Sequence, residues 1–383
     1  MAIYWIWSIK LRMQHKLNDF VSYGRQFIDD DDIEEVINVL KSDLLTCGPY
    51  VEKFEGRLCN VTGAKEAIAC NNGTAALHLA MMALGVGEGD KIIVPTITFL
   101  ASANAARYCG AEVVFADVDP HTGLLTLETL KEAYERAGGN VRAIVAVHLC
   151  GQLVDMKAVS EFCKPKDIKI VEDACHAIGG KGVGDCQYSD MATFSFHPVK
   201  TITMGEGGAI TTNNPEMAET MRVVRNHGMV RGTHWHYSMD DLGYNYRACD
   251  IQCALGYSQL NKLDRFIERR LEIAKAYDEF FKEISWATPV VNISDDIGYH
   301  LYPILIDFEA IQMTREELMD DLKLKGIGTQ VHYIPVHTQL YYGGNIDDFS
   351  GAKYYYERVM SLPIFYGLTD ERLKEIMQVI RDY

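Results

Sequence analysis

The sequence lacks any Cys-x-x-Cys pair, although ten cysteines are scattered along its 383 residues. Several sit inside apolar runs, as Cys150 does in "IVAVHLCG". That spacing excludes a zinc ribbon and argues against a disulfide framework; it fits reduced thiols in a cytoplasm. Positive charge is also scarce. Against 53 Asp and Glu stand only 37 Lys and Arg, a net charge of -16. Nucleic acid and anionic membranes both call for a basic face, so neither is expected as a partner. A small anionic ligand is not excluded, because a pocket needs only local positive groups. Long hydrophobic runs are missing too. The opening "MAIYWIWSIKLRM" is too short to span a bilayer, and its positive charges follow the apolar run where a secretion signal has them precede. Residues 1–26 are therefore read as an N-terminal extension, with the first twelve peripheral, and a soluble cytoplasmic protein is expected. No internal repeats or low-complexity tracts occur.

What is present is an ordinary globular composition, 48% apolar and 23% charged. The length suffices for one large and one small domain, each with a core. "DDDDIEEVINVLKS" reads as a helix with acids in its first turn and Ile33, Val36, Ile37 and Leu40 on one face. "CNNGTAALHLAMMALG" reads as a turn opening a helix, with Leu77, Ala80, Met81 and Leu84 as its stripe and Gly85 as its stop. Short apolar strands follow, "KIIVP", "AEVVFADV", "VRAIVAVHL", "IKIVEDA" and "MATFSFH", alternating with helical patterns at 99–108, 126–137 and 155–163. Alternation of this kind predicts an α/β fold with a mostly parallel sheet covered by helices on both faces. "GGAITTN" adds a strand and 214–226 a helix, and 251–284 reads as one long connector helix. Beyond it, strand "YHLYPILID", helix "TREELMDDLKLKG" with a Thr314–Glu317 capping box, strand "GTQVHYIP" and helix "DERLKEIMQVIRDY" predict a small C-terminal α+β domain. The expected division is 27–255 for the large domain and 256–383 for the connector and small domain.

In such sheets ligands sit beyond the carboxyl ends of the strands. There the sequence places Asp173 after "IKIVE", Lys200 after "MATFSFHPV", and "NNGT" at the opening of a helix. Taken singly, these are a capping aspartate, a surface lysine and a plain turn. Together they specify more. A helix N-terminus offers free N–H groups to a phosphate, a carboxylate can hold a protonated ring nitrogen, and a lysine can form a Schiff base. That set points to pyridoxal 5'-phosphate.

"VEDACHAIGG" followed by "FSFHPVKTITMGEGGA" resembles the DegT-like sugar aminotransferases, fold-type-I pyridoxal phosphate enzymes acting on nucleotide-linked keto sugars. The likeness runs from about Phe27 to the C-terminus and includes "GPYVEKFE", "NNGTAALHLA", "VPTITFLASANA", "FADVDPHTG" and "LGYNYR". The resemblance implies that Lys200 carries the Schiff base and then shuttles protons, a task that suits an amine with its pKa lowered by desolvation. It implies that Asp173 faces the ring nitrogen and that Gly73, Thr74 and Ser195 hold the phosphate. Phe99 would stack on the ring, and His176 would lie beside the ring or its 3-hydroxyl, though a core role is open for each. Asn245, and less directly Arg247, would reach the phosphate of a neighbouring subunit, which makes a homodimer with shared sites. A dehydratase branch of the family has histidine in place of the lysine; Lys200 is intact, so amino transfer is expected.

Tyrosines and histidines suit a hydroxylated sugar ring, and His332, Tyr333, His337 and Tyr341 are candidates for that side of the site. Arg225, Arg231 and Trp235 are candidates for the nucleotide diphosphate or for a dimer interface. The glycines of "GEGG" leave room beside the cofactor, so enlarging Gly207 is expected to weaken its retention. Overall these segments look most like the pseudaminic-acid branch. That branch uses glutamate to aminate carbon 4 of a UDP-linked 4-keto-6-deoxy sugar, giving UDP-4-amino-4,6-dideoxy-N-acetyl-beta-L-altrosamine. Another keto-sugar aminotransferase, a pyridoxal phosphate lyase or isomerase, and a non-catalytic regulator on the same fold are the alternatives.

Overall fold

A computed structural model describes residues 16–17, 19–291 and 294–383. The apolar segments become β1 (Glu66–Cys70), β2 (Lys91–Pro95), β3 (Glu112–Ala116), β4 (Val141–Val147), β5 (Lys169–Asp173), β6 (Met191–Ser195) and β7 (Gly208–Thr212). They form one sheet in the order β1-β7-β6-β5-β4-β2-β3, in which only β7 runs against its neighbours. The expectation of a mostly parallel sheet covered by helices holds. Register brings the functional ends together: Cys70 and Ser195 both pair with Gly208, and Asp173 pairs with Val147 and Thr193. The ends of β1, β5 and β6 therefore share one edge with the start of β7.

Helices Leu100–Tyr108, Leu127–Ala137 and Met156–Cys163 each start one residue inside the expected range. Thr126 and Asp155 stand outside theirs because their side chains cap the next turn, accepting from Thr129 N and Ala158 N. Helix Gly73–Ala83 differs from its expected stripe. It is buried all round, between the sheet and its helical neighbours, so Ala75, Ala76, His78 and Leu79 are enclosed as well.

Helix Asp30–Leu40 forms with its acids in the first turn as expected, and its apolar row faces outward. Ile33, Ile37 and Leu40 are exposed, while Asp32 and Val39 are buried. The inward face is fixed by polar bonds: Asp32 accepts from Gln259 Nε2 at 2.7 Å and meets Lys262 Nζ at 3.0 Å. Leaving three aliphatic side chains in water forgoes roughly 1.5–3 kcal/mol each.

After β7 come helix Pro215–Val224 and an exposed hairpin, β8 (Met229–Arg231) with β9 (Tyr237–Met239). The expected connector is two helices, Asp250–Leu260 and Leu263–Phe281, interrupted where Lys262 reaches Asp29 and Asp32. Position 255 lies inside the first of them. The second sheet is antiparallel, β10 (Ala287–Pro289), β11 (Tyr302–Ile306) and β12 (Val359–Leu362). Strand "GTQVHYIP" does not form. Residues 330 to 334 all line one cleft, which the side-to-side alternation of a strand forbids, and only Gln330 bridges to Ser361. β12 takes the place beside β11 instead.

Of the expected extension, residues 1–15 and 18 lie outside the described residues. The remainder is not peripheral. Leu17 and Val21 are buried, their N–H groups bond Lys325 O and Gly326 O, and Tyr23 lines the cleft.

Candidate active site

A cleft of about 990 Å³ opens at the shared strand edge. Lys200, Asp173, His176, Ser195, Gly73, Thr74, Phe99, His332 and Tyr333 all line it. The sequence that delivers Lys200 is a buried strand pinned at both ends. Phe194 and Phe196 anchor it in the core, Phe196 packing edge-on against Phe54 at 5.4 Å. Phe196 N–H bonds Gly207 O and Phe196 O accepts from Met204 N–H, so the intervening loop closes on itself with Lys200 inside it. Burial pulls the Lys200 pKa below that of an ordinary lysine, and the nearby Cys175, Asp173 and Cys150 oppose that shift.

Asp173 is buried and held from two sides. Ser102 Oγ donates to Oδ2 at 2.6 Å and Cys175 N–H donates to Oδ1 at 3.2 Å, with Thr98 Oγ1 a further 2.7 Å from Ser102 Oγ. Ser102 is a partner that the sequence did not disclose. It stands 71 residues from Asp173, and the contact exists because β4 separates β2 from β5 and the helix after β2 folds over that edge.

The turn before helix Gly73–Ala83 has the form of an anion cradle. Asn72 Oδ1 takes the Ala75 N–H, leaving those of Gly73 and Thr74 without intrahelical acceptors. The cradle tolerates no side chains. A Cβ on Gly208 would lie 2.3 Å from Asn72 O, and one on Gly73 would lie 2.9 Å from Ser195 Cβ. A Cβ on Gly207 would strike Met204, which closes the loop carrying Lys200, while Gly208 is the residue that shapes the turn. Gly208→Ala should release the cofactor on gel filtration, with a stability loss of about 1–3 kcal/mol from overpacking. Gly207→Ala, which pushes on Met204 Cβ at 2.8 Å and so on the Lys200 loop, should weaken retention by less. Residual absorbance after the column compares the two.

Phe99 is 54% exposed over the open cleft, its ring 6.0 Å from that of Tyr333. His176 and His332 are buried. His332 Nδ1 is 2.8 Å from Ser361 Oγ, and burial with Lys200 nearby lowers its pKa to about 3. His176 is pushed well below the usual histidine range by burial and by the charge of Lys200. Both are neutral at pH 7.

Seven candidate residues do not line this chain's cleft, two of them, Asn245 and Arg247, expected at a neighbouring subunit's site. Tyr341 is 70% exposed and meets Arg107 Nε at 3.4 Å, beyond Gln339, where the lining of the cleft ends. His337 is a satisfied core histidine between Thr96 Oγ1 and Asn345 O. Arg247 donates to Asn226 Oδ1 at 2.6 Å and lines, with Arg231, a separate cavity of about 530 Å³. Asn245 is exposed beside the phosphate turn but does not line its own chain's cleft. Arg225 is committed to Glu55 at 2.6 Å, and Trp235 stands on the exposed hairpin.

The residues present fit pyridoxal phosphate: a glycine-walled anion cradle, a carboxylate at hydrogen-bond density, and an amine with lowered pKa converge in one cleft. This fold and site define a pyridoxal-phosphate-dependent aminotransferase of fold type I. Comparison with known proteins agrees. The chain belongs to the DegT/DnrJ/EryC1/StrS aminotransferase family, whose model matches residues 26–381. It is 39% identical over 351 residues to the UDP-4-amino-4,6-dideoxy-N-acetyl-beta-L-altrosamine transaminase of Campylobacter jejuni subsp. jejuni serotype O:23/36 (strain 81-176), covering 90% of this chain and 92% of that one. Among solved structures it resembles Helicobacter pylori PseC, an aminotransferase involved in pseudoaminic acid biosynthesis, with TM-score 0.88, 30% identity, and 95% and 99% of the two chains covered. A Streptococcus pneumoniae protein solved in its PLP form matches with TM-score 0.87 at 26% identity, over 95% of this chain and 100% of that one.

Proposed function

We propose that the chain transfers an amino group from glutamate to carbon 4 of a UDP-linked 4-keto-6-deoxy sugar carrying an N-acetyl group. One observation carries the chemistry: Lys200, Asp173 and the Gly73–Thr74 turn meet at one sheet edge inside one cleft. The likeness to the Campylobacter jejuni transaminase and to PseC supports the sugar.

Gly73, Thr74 and Ser195 would hold the cofactor phosphate, Asp173 its ring nitrogen, Phe99 its face, and Lys200 would bind it covalently. When bound, pyridoxal phosphate supplies an electron sink that stabilises negative charge on the carbon being aminated. Asp173 keeps the ring nitrogen protonated, and Ser102 with Cys175 N–H keeps that carboxylate aimed. Lys200, as a free amine, would be the base that takes up and returns the substrate's proton, and its lowered pKa raises the fraction present in that form.

The working unit is a homodimer with shared sites. Among the described residues lining the cleft there is no arginine and no lysine besides Lys200, which the cofactor would take, too little for a phosphate and a nucleotide diphosphate. Asn245 is exposed beside the site, and Arg231 and Arg247 line the separate cavity. The outward apolar row Ile33, Ile37, Leu40, Leu44 and Leu45, and the hairpin bearing Trp235, support a partner's cover. Ile37→Glu combined with Leu40→Glu should convert a species of twice 43.1 kDa into one of 43.1 kDa, with loss of bound cofactor; light scattering after gel filtration reads both. A monomeric wild type with full activity would contradict the shared site. The described residues contain no helix long and apolar enough to cross a membrane. Ten free cysteines support a cytoplasmic setting.

The test of the substrate is turnover with glutamate across UDP-, dTDP- and GDP-linked 3- and 4-keto sugars, with the product's aminated carbon identified by NMR. The UDP-linked 4-keto sugar should be preferred. Equal turnover of a 3-keto substrate would overturn the choice.

A further inference from the structure

The hydrogen bond between His176 and Tyr333 has a direction that neighbouring atoms fix. Cys150 N–H, which can only donate, lies 3.2 Å from His176 Nδ1. Nδ1 is therefore an acceptor and carries no hydrogen. In a neutral imidazole the hydrogen is then on Nε2, 3.0 Å from Tyr333 Oη. Nε2–H donates to the phenol oxygen, so the phenol's own hydrogen points elsewhere. Among the described residues Tyr333 Oη makes no second hydrogen bond, and Tyr333 lines the cleft with Lys200 and Asp173.

We propose, building on the aminotransferase reading, that Tyr333 donates a hydrogen bond to an oxygen of the bound reactants beside Lys200, and that His176 is the positioning residue enforcing this polarity. His176 then acts through Tyr333 rather than on the cofactor directly. The acceptor chemistry is a carbonyl or phenolate oxygen, offered by the keto sugar or by the cofactor ring.

The surroundings hold both groups in the required state. Lys200 and His332 face His176, and His300 packs on it at 4.6 Å between ring centroids. Behind His300 lies Arg270, 1% exposed, donating to His300 O at 2.9 Å and Ile364 O at 3.0 Å, with no carboxylate partner among the described residues. Burial and the Lys200 charge oppose an imidazolium at His176, and burial with Lys200 and Arg270 opposes one at the neighbouring His300. An imidazolium would still donate to Tyr333 but would lose the Cys150 bond. Burial holds the Tyr333 hydroxyl protonated, its pKa well above the ordinary tyrosine value.

Two measurements test this. The first is ¹⁵N NMR of histidine-labelled, cofactor-free protein, with His176→Asn supplying the assignment. Bare Nδ1 and protonated Nε2 are expected at pH 7; a protonated Nδ1 overturns the proposal. This result is independent of what the enzyme catalyses. The second is kinetics. Tyr333→Phe should lower kcat by about 10- to 100-fold, the worth of one buried hydrogen bond. His176→Asn keeps an acceptor for Cys150 N–H but lacks the ε donor, and should match that loss. His176→Gln, which restores an N–H at that reach, should recover most of it. The Tyr333→Phe/His176→Asn double variant should be no worse than Tyr333→Phe alone. Additive losses, or equal losses in the Gln and Asn variants with unchanged melting temperatures, would contradict the relay. A shift of the cofactor's absorbance in Tyr333→Phe without sugar identifies the ring oxygen as acceptor. An unchanged spectrum with the loss confined to the sugar half-reaction identifies the keto oxygen. Absence of amino transfer in the wild type would sink the aminotransferase reading and leave the NMR result standing.

Discussion

Replacing Lys200 by alanine is expected to abolish turnover, with kcat down on the order of 10⁴- to 10⁶-fold, as when the central group of a catalytic set is removed. The variant should fold. Its backbone loop is closed by Phe196, Gly207 and Met204, none of which uses the lysine side chain. Removing an amine whose pKa is already depressed by burial relieves a desolvation cost rather than breaking an ion pair. The melting temperature should therefore hold or rise while the absorbance of covalently bound cofactor disappears. An external amine should restore a small part of the rate. Unaltered absorbance in Lys200→Ala would show that the covalent partner is another residue.

The second large effect is Asp173→Asn. Asparagine is nearly the same size, its oxygen can still accept from Cys175 N–H, and its amide can donate to Ser102 Oγ once that hydroxyl reverses. Geometry is preserved and the charge is removed. Without that charge the ring nitrogen loses its proton, and with it the electron sink. A loss of roughly 10²–10³-fold in kcat is expected, the usual cost of removing a preorganised electrostatic partner, with cofactor still bound. Ser102→Ala should move in the same direction by less, since Cys175 N–H continues to hold Asp173. If Asp173→Asn kept its rate, the carboxylate would not be the ring's partner.

Much of this site was legible because parallel α/β sheets expose their strand ends at one edge. Asp173, Lys200 and the Gly73–Thr74 turn each follow or precede a clear strand or helix signal, so topology alone brings them together. The small-domain residues were harder. "QVHYIP" carries the alternation of a strand, yet His332 and Tyr333 both enter the cleft because 330–334 forms only one bridge. Tyr341 and His337 lie a few residues further along and miss it, a difference that no local pattern encodes. Ser102 and the His176–Tyr333 contact depend on pairs 71 and 157 residues apart. Helix Asp30–Leu40 shows another limit of the pattern. Its apolar face is legible in the pattern, but that Ile33, Ile37 and Leu40 turn outward while Asp32 and Val39 are buried is not.

The central claim, that this cleft moves an amino group between glutamate and a keto sugar through Lys200 and Asp173, is tested most directly by two spectra of one holoenzyme sample. Glutamate alone should bleach the absorbance of the lysine-bound cofactor, with one equivalent of 2-oxoglutarate released per site. Addition of the UDP-linked 4-keto sugar should restore the original spectrum in stoichiometric amount. A spectrum indifferent to glutamate, in an enzyme that nonetheless turns over the sugar nucleotide alone, would contradict the account.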